Sequence, residues 1–315
     1  MKIVFTDSKT VASSGADLDT FRQFGELVLY DLTSPEELPD RIKDADMVLC
    51  NKTIFDANAL SQAPKLKYIG LCATGYNNID IAYATQHGIT VCNAGSYSTD
   101  AVAQHTFALI LSLFNKVREY DDFVQKGGWI ETEMFSPMVF RTHELSGKTI
   151  GIVGYGNIGK ATAKIAHAFG MNVVVFTRTV LADENVNFVD FDTLLSLSDI
   201  VTVHCPLNSE SQKMFCSDTF KKFKKGSYFI NTARGGLVDE NALKEALEND
   251  QLAGAAVDTI TIEPMSHDCV LLGVKNLIIT PHIAWSPKET TDRLIKIVSD
   301  NIKSFLDGNP KNKVN

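Results

Sequence analysis

Short apolar runs that alternate with helical stretches constrain the fold of this chain more than any other feature. In its first part these runs are residues 2–6, 27–30, 47–50, 68–72 and 89–92. Continuous apolar runs of this length are typical of strands buried on both faces, and the stretches between them suit the helical crossovers that parallel strands need. The pattern therefore predicts an α/β fold in which helices cover both faces of a parallel sheet.

A second series of strands and helices follows a long helix, which apolar residues at helical spacing mark from Val102 to Val117. The strands predicted in this series are residues 149–153, 172–176, 200–204, 227–231, 254–257 and 277–280. Pro287 to Leu306 again show a helix pattern. We predict two doubly wound parallel-sheet domains of unequal size. The smaller comprises residues 1–98 and 287–315, and the larger comprises residues 99–286.

The composition excludes several classes of protein. The 315 residues are 44% apolar and 22% charged, which is unlike disordered or low-complexity chains. There are 38 acidic and 30 basic residues, and the basic run 221–225 is expected at the solvated end of a helix, so nucleic acid is an unfavourable partner. Six scattered cysteines show neither C-x-x-C nor metal-ligand spacing, which predicts no metal site and a reducing compartment. With neither a signal-peptide pattern nor a membrane-length apolar stretch, we expect a cytoplasmic protein that acts on a small molecule and not at a membrane.

A glycine-rich turn joins the first strand of the second series to the predicted helix 157–169. It contains G-x-G-x-x-G as Gly154, Gly156 and Gly159. In this setting the first glycine permits a tight turn, the second lets the backbone approach a pyrophosphate, and the third lets helix and strand pack closely. The pattern predicts a Rossmann dinucleotide-binding domain. The contacts expected here are Gly154, Tyr155, Gly156, Asn157, Ile158 and Gly159.

The end of the next strand bears on the choice between NAD and NADP. A carboxylate there would hold the ribose 2′-OH of NAD, but this strand ends in Thr177 and Arg178, and the nearest acid is Asp183. A hydroxyl and a guanidinium suit a 2′-phosphate better than a diol. We therefore favour NADP over NAD. The alternative is that Arg178 stacks on the adenine of NAD.

Functional groups also follow three later strands, in the segments 231–236, 256–264 and 280–285. Together with the glycine loop, these ordered motifs resemble the D-2-hydroxyacid dehydrogenase family over the whole chain. Within it, segments 51–52, 73–77, 97–104 and 281–285 are most similar to the glycerate dehydrogenase branch, the hydroxypyruvate and glyoxylate reductases. The resemblance implies that the larger domain binds NAD(P) and that the smaller domain is flavodoxin-like.

Three residues form the catalytic set that the resemblance implies, and their chemistry agrees with it. Reduction of a 2-oxo acid needs a proton donor, and the imidazole of His282 is suited to this because histidine titrates near ~6.5. The adjacent carboxylate of Glu263 would orient the ring and stabilise its protonated form. Arg234 would bind the substrate carboxylate. The structural alternatives are a surface ion pair for Arg234, a hydrogen-bonded structural role for His282 and an ordinary turn acid for Glu263.

The resemblance implies further contacts with cofactor and substrate. The cofactor contacts are Thr106, Thr177, Arg178, Cys205, Pro206, Thr232, Ala233, Asp258, His282 and Ala284. The substrate contacts are Asn51, Thr74, Gly75, Arg234 and Trp285, the last with a packing role as its alternative. We favour structural roles for His105 and His204. Gln104 stands where many members of the family have glutamate, which carries no mechanistic conclusion.

The function expected from this resemblance is hydride transfer between NAD(P)H and a small 2-oxo acid, foremost hydroxypyruvate or glyoxylate, to give D-glycerate or glycolate. Another D-2-hydroxyacid dehydrogenase activity, on D-lactate or 3-phosphoglycerate, is the first alternative. A nucleotide-sensing protein similar to the corepressors related to this family is the second. By the same analogy we expect a homodimer, with the long helix and an exposed arm at residues 118–145 as its contact surface.

Overall fold

The computed structural model describes residues 1–179 and 183–315, which form two compact units. One unit comprises Met1–Ser98 and Trp285–Asn315, and the other comprises Thr99–Ala284. The sequence pattern placed the later boundary two residues further along, after Ser286. Each unit is built on one sheet of parallel strands with helices at its faces, which confirms the α/β fold class.

The first unit has five strands, and their order in the sheet is β2-β1-β3-β4-β5. The strands are β1 (Lys2–Phe5), β2 (Glu26–Leu29), β3 (Met47–Cys50), β4 (Tyr68–Leu71) and β5 (Thr90–Cys92). The helices are α1 (Lys9–Ala12), α2 (Leu38–Ile42), α3 (Ala57–Ser61), α4 (Ile81–Gln86), the 3₁₀ helix Leu18–Phe24 and, from the end of the chain, α11 (Lys288–Leu306). This strand order is that of flavodoxin-like folds, as the resemblance implied.

Two apolar clusters cover the faces of this sheet, because successive side chains of a strand point to opposite sides. Ile3 and Phe5 of β1 belong to one cluster, which contains Leu294 and Val298 of α11. Val4 belongs to the other cluster, with residues of α2, α3 and α4. The helix at the end of the chain thus completes the core of the unit that the chain's first residues begin.

In its described residues, 99–179 and 183–284, the second unit has seven strands in the order β12-β11-β10-β9-β6-β7-β8. They are β6 (Thr149–Val153), β7 (Asn172–Phe176), β8 (Asn187–Phe188), β9 (Ile200–Val203), β10 (Ser227–Asn231), β11 (Leu252–Val257) and β12 (Leu277–Ile279). The strand order reverses between β6 and β9, which is the switch point of a Rossmann fold. Six strands follow the sequence prediction within two residues, and β8 was not predicted.

Helices cover both faces of the larger sheet. They are α5 (Thr99–Asn115), α6 (Val117–Gln125), α7 (Asn157–Ala168), α8 (Phe191–Leu197), α9 (Ser217–Phe220), α10 (Glu240–Glu248) and the 3₁₀ helix Gly235–Leu237. Residues of α5 and α7 share one apolar cluster, and residues of α8, α9 and α10 share another. No helix in the described ranges is long and apolar enough to span a membrane.

Two helix boundaries follow the predicted chemistry and one differs from it. Gly170, with φ of 71°, ends α7 in the left-handed region, and the Asp239 carboxylate accepts hydrogen bonds from two N–H groups of the first turn of α10. The predicted helix 102–117 is broken at Lys116, which has φ of 54°. The chain therefore changes direction there, and α6 begins the segment that was predicted as an exposed arm.

Candidate active site

The glycine loop between β6 and α7 contains two glycines that the chain's own packing requires. Gly154 has φ of 96°, and a Cβ there would lie 2.6 Å from the backbone nitrogen of Cys205. A Cβ on Gly159 would lie 2.2 Å from the carbonyl oxygen of Gly154. Both distances are far below van der Waals contact, so any larger residue would push the loop away from β9 or α7 away from the loop.

Gly156 differs from its neighbours, because nothing lies within 4 Å of a Cβ built on it. Its φ of −81° is also open to any residue. Gly156 is the N-cap of α7 and has no side-chain oxygen to cap the first turn, so the positive end of the helix faces this open space. Open space beside the first turn of a helix that has no side-chain cap suits the pyrophosphate of a dinucleotide, and a Cβ on Gly156 would occupy part of that space.

A cavity of about 450 Å³ begins at this loop. The ends of β6, β7 and β9 and the loop that follows β9 surround it. Its lining residues are Val153, Gly154, Tyr155, Gly156, Phe176, Thr177, Arg178, Thr179, His204, Cys205, Pro206, Asn208, Glu210, Ser211 and Met214. Seven of these were predicted as cofactor contacts. The wall from Asn208 to Met214 was not, since its sequence matches no motif of the dinucleotide-binding kind.

His204 lines this cavity as an uncharged side chain. Burial lowers the pKa of His204 to about 3, so its ring is neutral near pH 7. Its Nε2 lies 3.0 Å from the Thr202 hydroxyl and 3.3 Å from that of Thr162. The residue therefore joins β9 to α7, as a structural histidine would, while one side of it forms part of the cavity wall.

Charged side chains stand at the end of β7. Arg178 is exposed, and its Nη1 lies 3.0 Å from the Glu210 carboxylate. The next acid after β7, Asp183, accepts a hydrogen bond of 2.6 Å from the Tyr155 hydroxyl, and this bond lowers the pKa of Asp183. Burial raises the pKa of Tyr155, which keeps its hydroxyl a proton donor to that acid. Asp183 is thus hydrogen-bonded to a residue of the glycine loop.

Asp258, directly after β11, is a buried carboxylate that organises the loop after β12. It accepts hydrogen bonds from the Thr280 hydroxyl at 2.6 Å and from the N–H groups of Ile283 and Ala284 at 2.9 Å each. Burial raises the pKa of Asp258, but hydrogen bonds from His105, Thr280 and the two N–H groups outweigh it, so the pKa lies below its usual value. The carboxylate is ionised at neutral pH.

His105, for which the sequence favoured a structural role, extends this network from α5. Its Nε2 lies 3.0 Å from the Thr280 hydroxyl and 3.5 Å from the Asp258 carboxylate. Because the one proton of the Thr280 hydroxyl goes to Asp258, Nε2 of His105 must carry the proton that it shares with Thr280. The contact ties the long helix to the ends of β11 and β12.

His282 and Glu263 form a hydrogen-bonded pair. Nδ1 of His282 lies 2.7 Å from Oε2 of Glu263, and the other carboxylate oxygen accepts the N–H of Ile260 at 3.1 Å. His282 has φ of 55°, which is costly for a residue with a side chain. Its N–H donates to the carbonyl oxygens of Asp258 and Thr280, at 2.8 Å and 3.0 Å, which holds it in that conformation.

Arg234 lies in a turn after β10 that Asn231 shapes. The Asn231 amide donates to the Arg234 carbonyl oxygen at 2.9 Å and accepts the N–H of Ala233 at 3.0 Å. A Cβ on Gly235 would lie 1.9 Å from the backbone of Ile260, so this turn is pressed against the loop that carries Glu263. The half-buried guanidinium donates to the Ala233 carbonyl, and within the described ranges no carboxylate pairs with it.

Of the other predicted cofactor contacts, Thr106 and Thr232 are brought together, with their buried hydroxyls 3.1 Å apart. Asn157 and Ile158 begin α7. Ala284 follows the loop that Asp258 holds. The contacts of these residues with the cofactor stay predictions.

Comparison with known proteins agrees with this architecture. Residues 107–284 match the family described as D-isomer specific 2-hydroxyacid dehydrogenase, NAD binding domain, and this match covers more than half of the 315 residues. The chain belongs to this family. It is therefore an NAD(P)-dependent D-2-hydroxyacid dehydrogenase, as the ordered motifs indicated.

Two curated relatives of this dehydrogenase are similar over their full length. A hydroxypyruvate reductase of Blautia hydrogenotrophica is 39% identical, with 100% of each chain covered. A glycerate dehydrogenase of Methylorubrum extorquens is 36% identical, with 99% of this chain and 98% of the relative covered. Both belong to the branch that the motifs resemble.

Two solved structures are also similar to the dehydrogenase over nearly its whole length. An acyclic imino acid reductase in complex with NADPH and D-Arg has a TM-score of 0.88 and 28% identity, with 100% of both chains covered. An NAD-dependent formate dehydrogenase from Staphylococcus aureus in complex with NAD has a TM-score of 0.86 and 28% identity, with 99% and 97% covered. This fold thus accommodates either form of the cofactor.

The other predicted substrate residues of the dehydrogenase lie in the first unit. Asn51 is buried after β3, where its N–H donates to the Asp7 carboxylate at 2.9 Å. The Thr74 hydroxyl, next to Gly75, donates to the Gly95 carbonyl. The Trp285 ring packs edge-on against Tyr97, with centroids 6.4 Å apart. That contact is the packing alternative for Trp285, and the substrate roles of these residues stay predictions.

The glycine loop of the dehydrogenase generates a paired prediction. Gly156→Ala should leave the thermal midpoint of unfolding nearly unchanged, because open space surrounds the new methyl group, but should weaken NAD(P)H binding at least about tenfold. Gly159→Ala, its control, should lower the midpoint by several degrees, because overpacking costs ~1–3 kcal/mol. Calorimetry and cofactor titration measure the two effects. Unchanged cofactor affinity in Gly156→Ala would remove the loop from the binding site.

Proposed function

We propose that this dehydrogenase reduces a small 2-oxo acid, foremost hydroxypyruvate to D-glycerate and also glyoxylate to glycolate. The observation that carries the proposal is the 2.7 Å hydrogen bond between Nδ1 of His282 and Glu263. Similarity to hydroxypyruvate reductase and glycerate dehydrogenase over the full chain supports the choice of substrate. When bound, NAD(P)H supplies the hydride that the carbonyl carbon receives.

In this proposal His282 is the proton donor to the carbonyl oxygen. Glu263 accepts a hydrogen bond from the N–H at Nδ1 of His282. Nε2 is therefore the nitrogen that gives up or takes a proton. Because the N–H of Ile260 holds the second oxygen of Glu263, the carboxylate cannot turn away from the ring. Glu263 thus keeps the ring in one orientation while the proton moves between Nε2 and the substrate oxygen.

Arg234 would bind the carboxylate of the substrate. A half-buried guanidinium is costly unless an anion meets it, and in the part of the chain that the structure describes no acidic side chain does so. Its fork of N–H donors matches a carboxylate in two parallel hydrogen bonds. The Gly235 contact with Ile260 keeps the turn of Arg234 beside the loop of Glu263.

Substitutions at the pair test the proton transfer. His282→Asn should lower kcat for hydroxypyruvate reduction by about 10²- to 10⁴-fold, because a general acid contributes about this much. Glu263→Gln should also lower kcat, by a smaller factor, because an amide holds the ring through a weaker hydrogen bond than a carboxylate does. NADPH oxidation at saturating hydroxypyruvate measures both effects.

The matched control is His167→Asn, which changes an exposed histidine at the end of α7 and should leave the rate unaltered. Wild-type turnover by His282→Asn would refute the assignment of the acid. Rates at background level for the unmodified chain with hydroxypyruvate, glyoxylate, pyruvate and phosphohydroxypyruvate would favour the nucleotide-sensing alternative instead.

For the cofactor we propose NADP over NAD, with Arg178 as the residue that meets the 2′-phosphate. Arg178 lines the cavity at the end of β7, and the next acid along the chain is engaged by Tyr155. Steady-state assays should give a higher kcat/KM with NADPH than with NADH. Arg178→Gln should reduce the NADPH value by about ten- to hundredfold and leave the NADH value nearly unchanged, because a lost hydrogen bond to a charged group costs ~1.5–3 kcal/mol. A preference of the unmodified enzyme for NADH would overturn this proposal.

We further propose that the enzyme is a homodimer held by the exposed arm at residues 118–145, the segment that follows α5. This segment exposes large apolar side chains, with Ile130 88%, Phe135 91% and Met138 87% exposed. Apolar side chains concentrated in one segment in this way indicate an interaction surface. The resemblance to the family supports a second copy of the chain as the partner.

Analytical ultracentrifugation tests the dimer. The unmodified protein should sediment as a dimer, and Phe135→Glu should shift the equilibrium toward monomer, because a charge would have to be buried in the interface. Ile54→Glu, at an isoleucine that is 70% exposed outside the segment, should have no effect. A monomer at micromolar concentration would contradict the proposal.

A further inference from the structure

One ion pair stands at the rim of the cofactor cavity. Among the lining residues within the described ranges, Arg178 is the one cationic side chain, since His204 is neutral, and Glu210 is the one acid. Nη1 of Arg178 lies 3.0 Å from Oε2 of Glu210. Arg178 follows β7 and Glu210 lies in the loop after β9, so the pair joins two walls of the cavity.

The loop holds Glu210 in place through its neighbours. The Asn208 side-chain oxygen accepts the N–H groups of Glu210 and Ser211, both at 3.0 Å. The Ser211 hydroxyl donates to the carbonyl oxygen of Pro206 at 2.8 Å. These bonds close a compact turn, so the carboxylate of Glu210 stays within reach of the guanidinium on the facing wall.

The pair is weak enough to be exchanged. The side chain of Arg178 is 68% exposed and that of Glu210 is 73% exposed, and water screens such pairs strongly. A guanidinium offers the same fork of donors to a carboxylate and to a phosphate. An anionic ligand group that reaches Arg178 therefore competes with Glu210, whereas a neutral hydroxyl does not have to displace it.

We propose that Glu210 is a specificity-determining residue, which opposes a 2′-phosphorylated cofactor by competing with its phosphate for Arg178. This inference rests on the proposed function, in which Arg178 meets the adenosine ribose. Glu210 therefore weakens, without reversing, the preference for NADP that Arg178 would give by itself. The preference between NADP and NAD is set by the pair and not by Arg178 alone.

The test uses the full chain and two fragments of the cofactor, 2′,5′-ADP and 5′-AMP, with dissociation constants from isothermal titration calorimetry at low salt. Glu210→Gln should tighten the binding of 2′,5′-ADP by about two- to tenfold, the range expected from an exposed ion pair together with repulsion of the phosphate. It should leave 5′-AMP binding nearly unchanged. Glu248→Gln, at an exposed glutamate paired with Lys244, is the control for the loss of one charge.

The double variant Arg178→Gln/Glu210→Gln distinguishes competition from general repulsion. Without Arg178, the Glu210→Gln change should tighten 2′,5′-ADP binding by clearly less than it does in the unmodified chain. A gain that persists in full would overturn the competition, as would weaker binding of both fragments to Glu210→Gln. If Arg178→Gln alone weakens 2′,5′-ADP but Glu210→Gln has no effect, this inference fails and the proposed role of Arg178 stands. If Arg178→Gln changes neither fragment, the proposed role of Arg178 fails as well.

Discussion

The parallel direction of the strands in the larger sheet is the constraint on which the site depends. Parallel strands place their carboxyl ends at one edge, and in this protein each chemically important segment begins where a strand stops. The residues directly after the strands include Gly154, Thr177, His204, Thr232, Asp258 and Thr280. Groups that are far apart along the chain therefore lie at one edge because of the direction of the strands, and not because of contacts between the groups themselves.

At that edge, Asp258 fixes the positions of the residues that follow β12. A buried carboxylate is stable as an anion when hydrogen bonds outweigh its loss of hydration, and Thr280, Ile283 and Ala284 provide them. The same bonds determine the path of the loop that carries His282. The left-handed backbone of His282 is held by carbonyl oxygens at the ends of β11 and β12, so local strain is maintained where the chemistry is proposed to occur.

Much of the fold could be predicted from the sequence, because buried parallel strands and amphipathic helices leave periodic patterns. The elements that escaped prediction are those without such a pattern. β8 has two residues, too few to show a period, and the break at Lys116 depends on one left-handed residue inside an otherwise continuous helical pattern. The cavity wall from Asn208 to Met214 was missed because its turn is closed by side-chain bonds that many polar loops form.

The sequence by itself determined which chemical groups follow which strands, where the glycine loop lies and to which family the chain belongs. The tertiary structure alone decided which groups meet. Three contacting pairs are far apart in sequence: Glu263 and His282 are separated by 19 positions, Arg178 and Glu210 by 32, and His105 and Thr280 by 175. Periodicity along a chain encodes the face that a residue occupies, which is a local property. Which side chain a residue contacts depends on the distance between them in space, and that distance is set only when the strands pair in the folded protein.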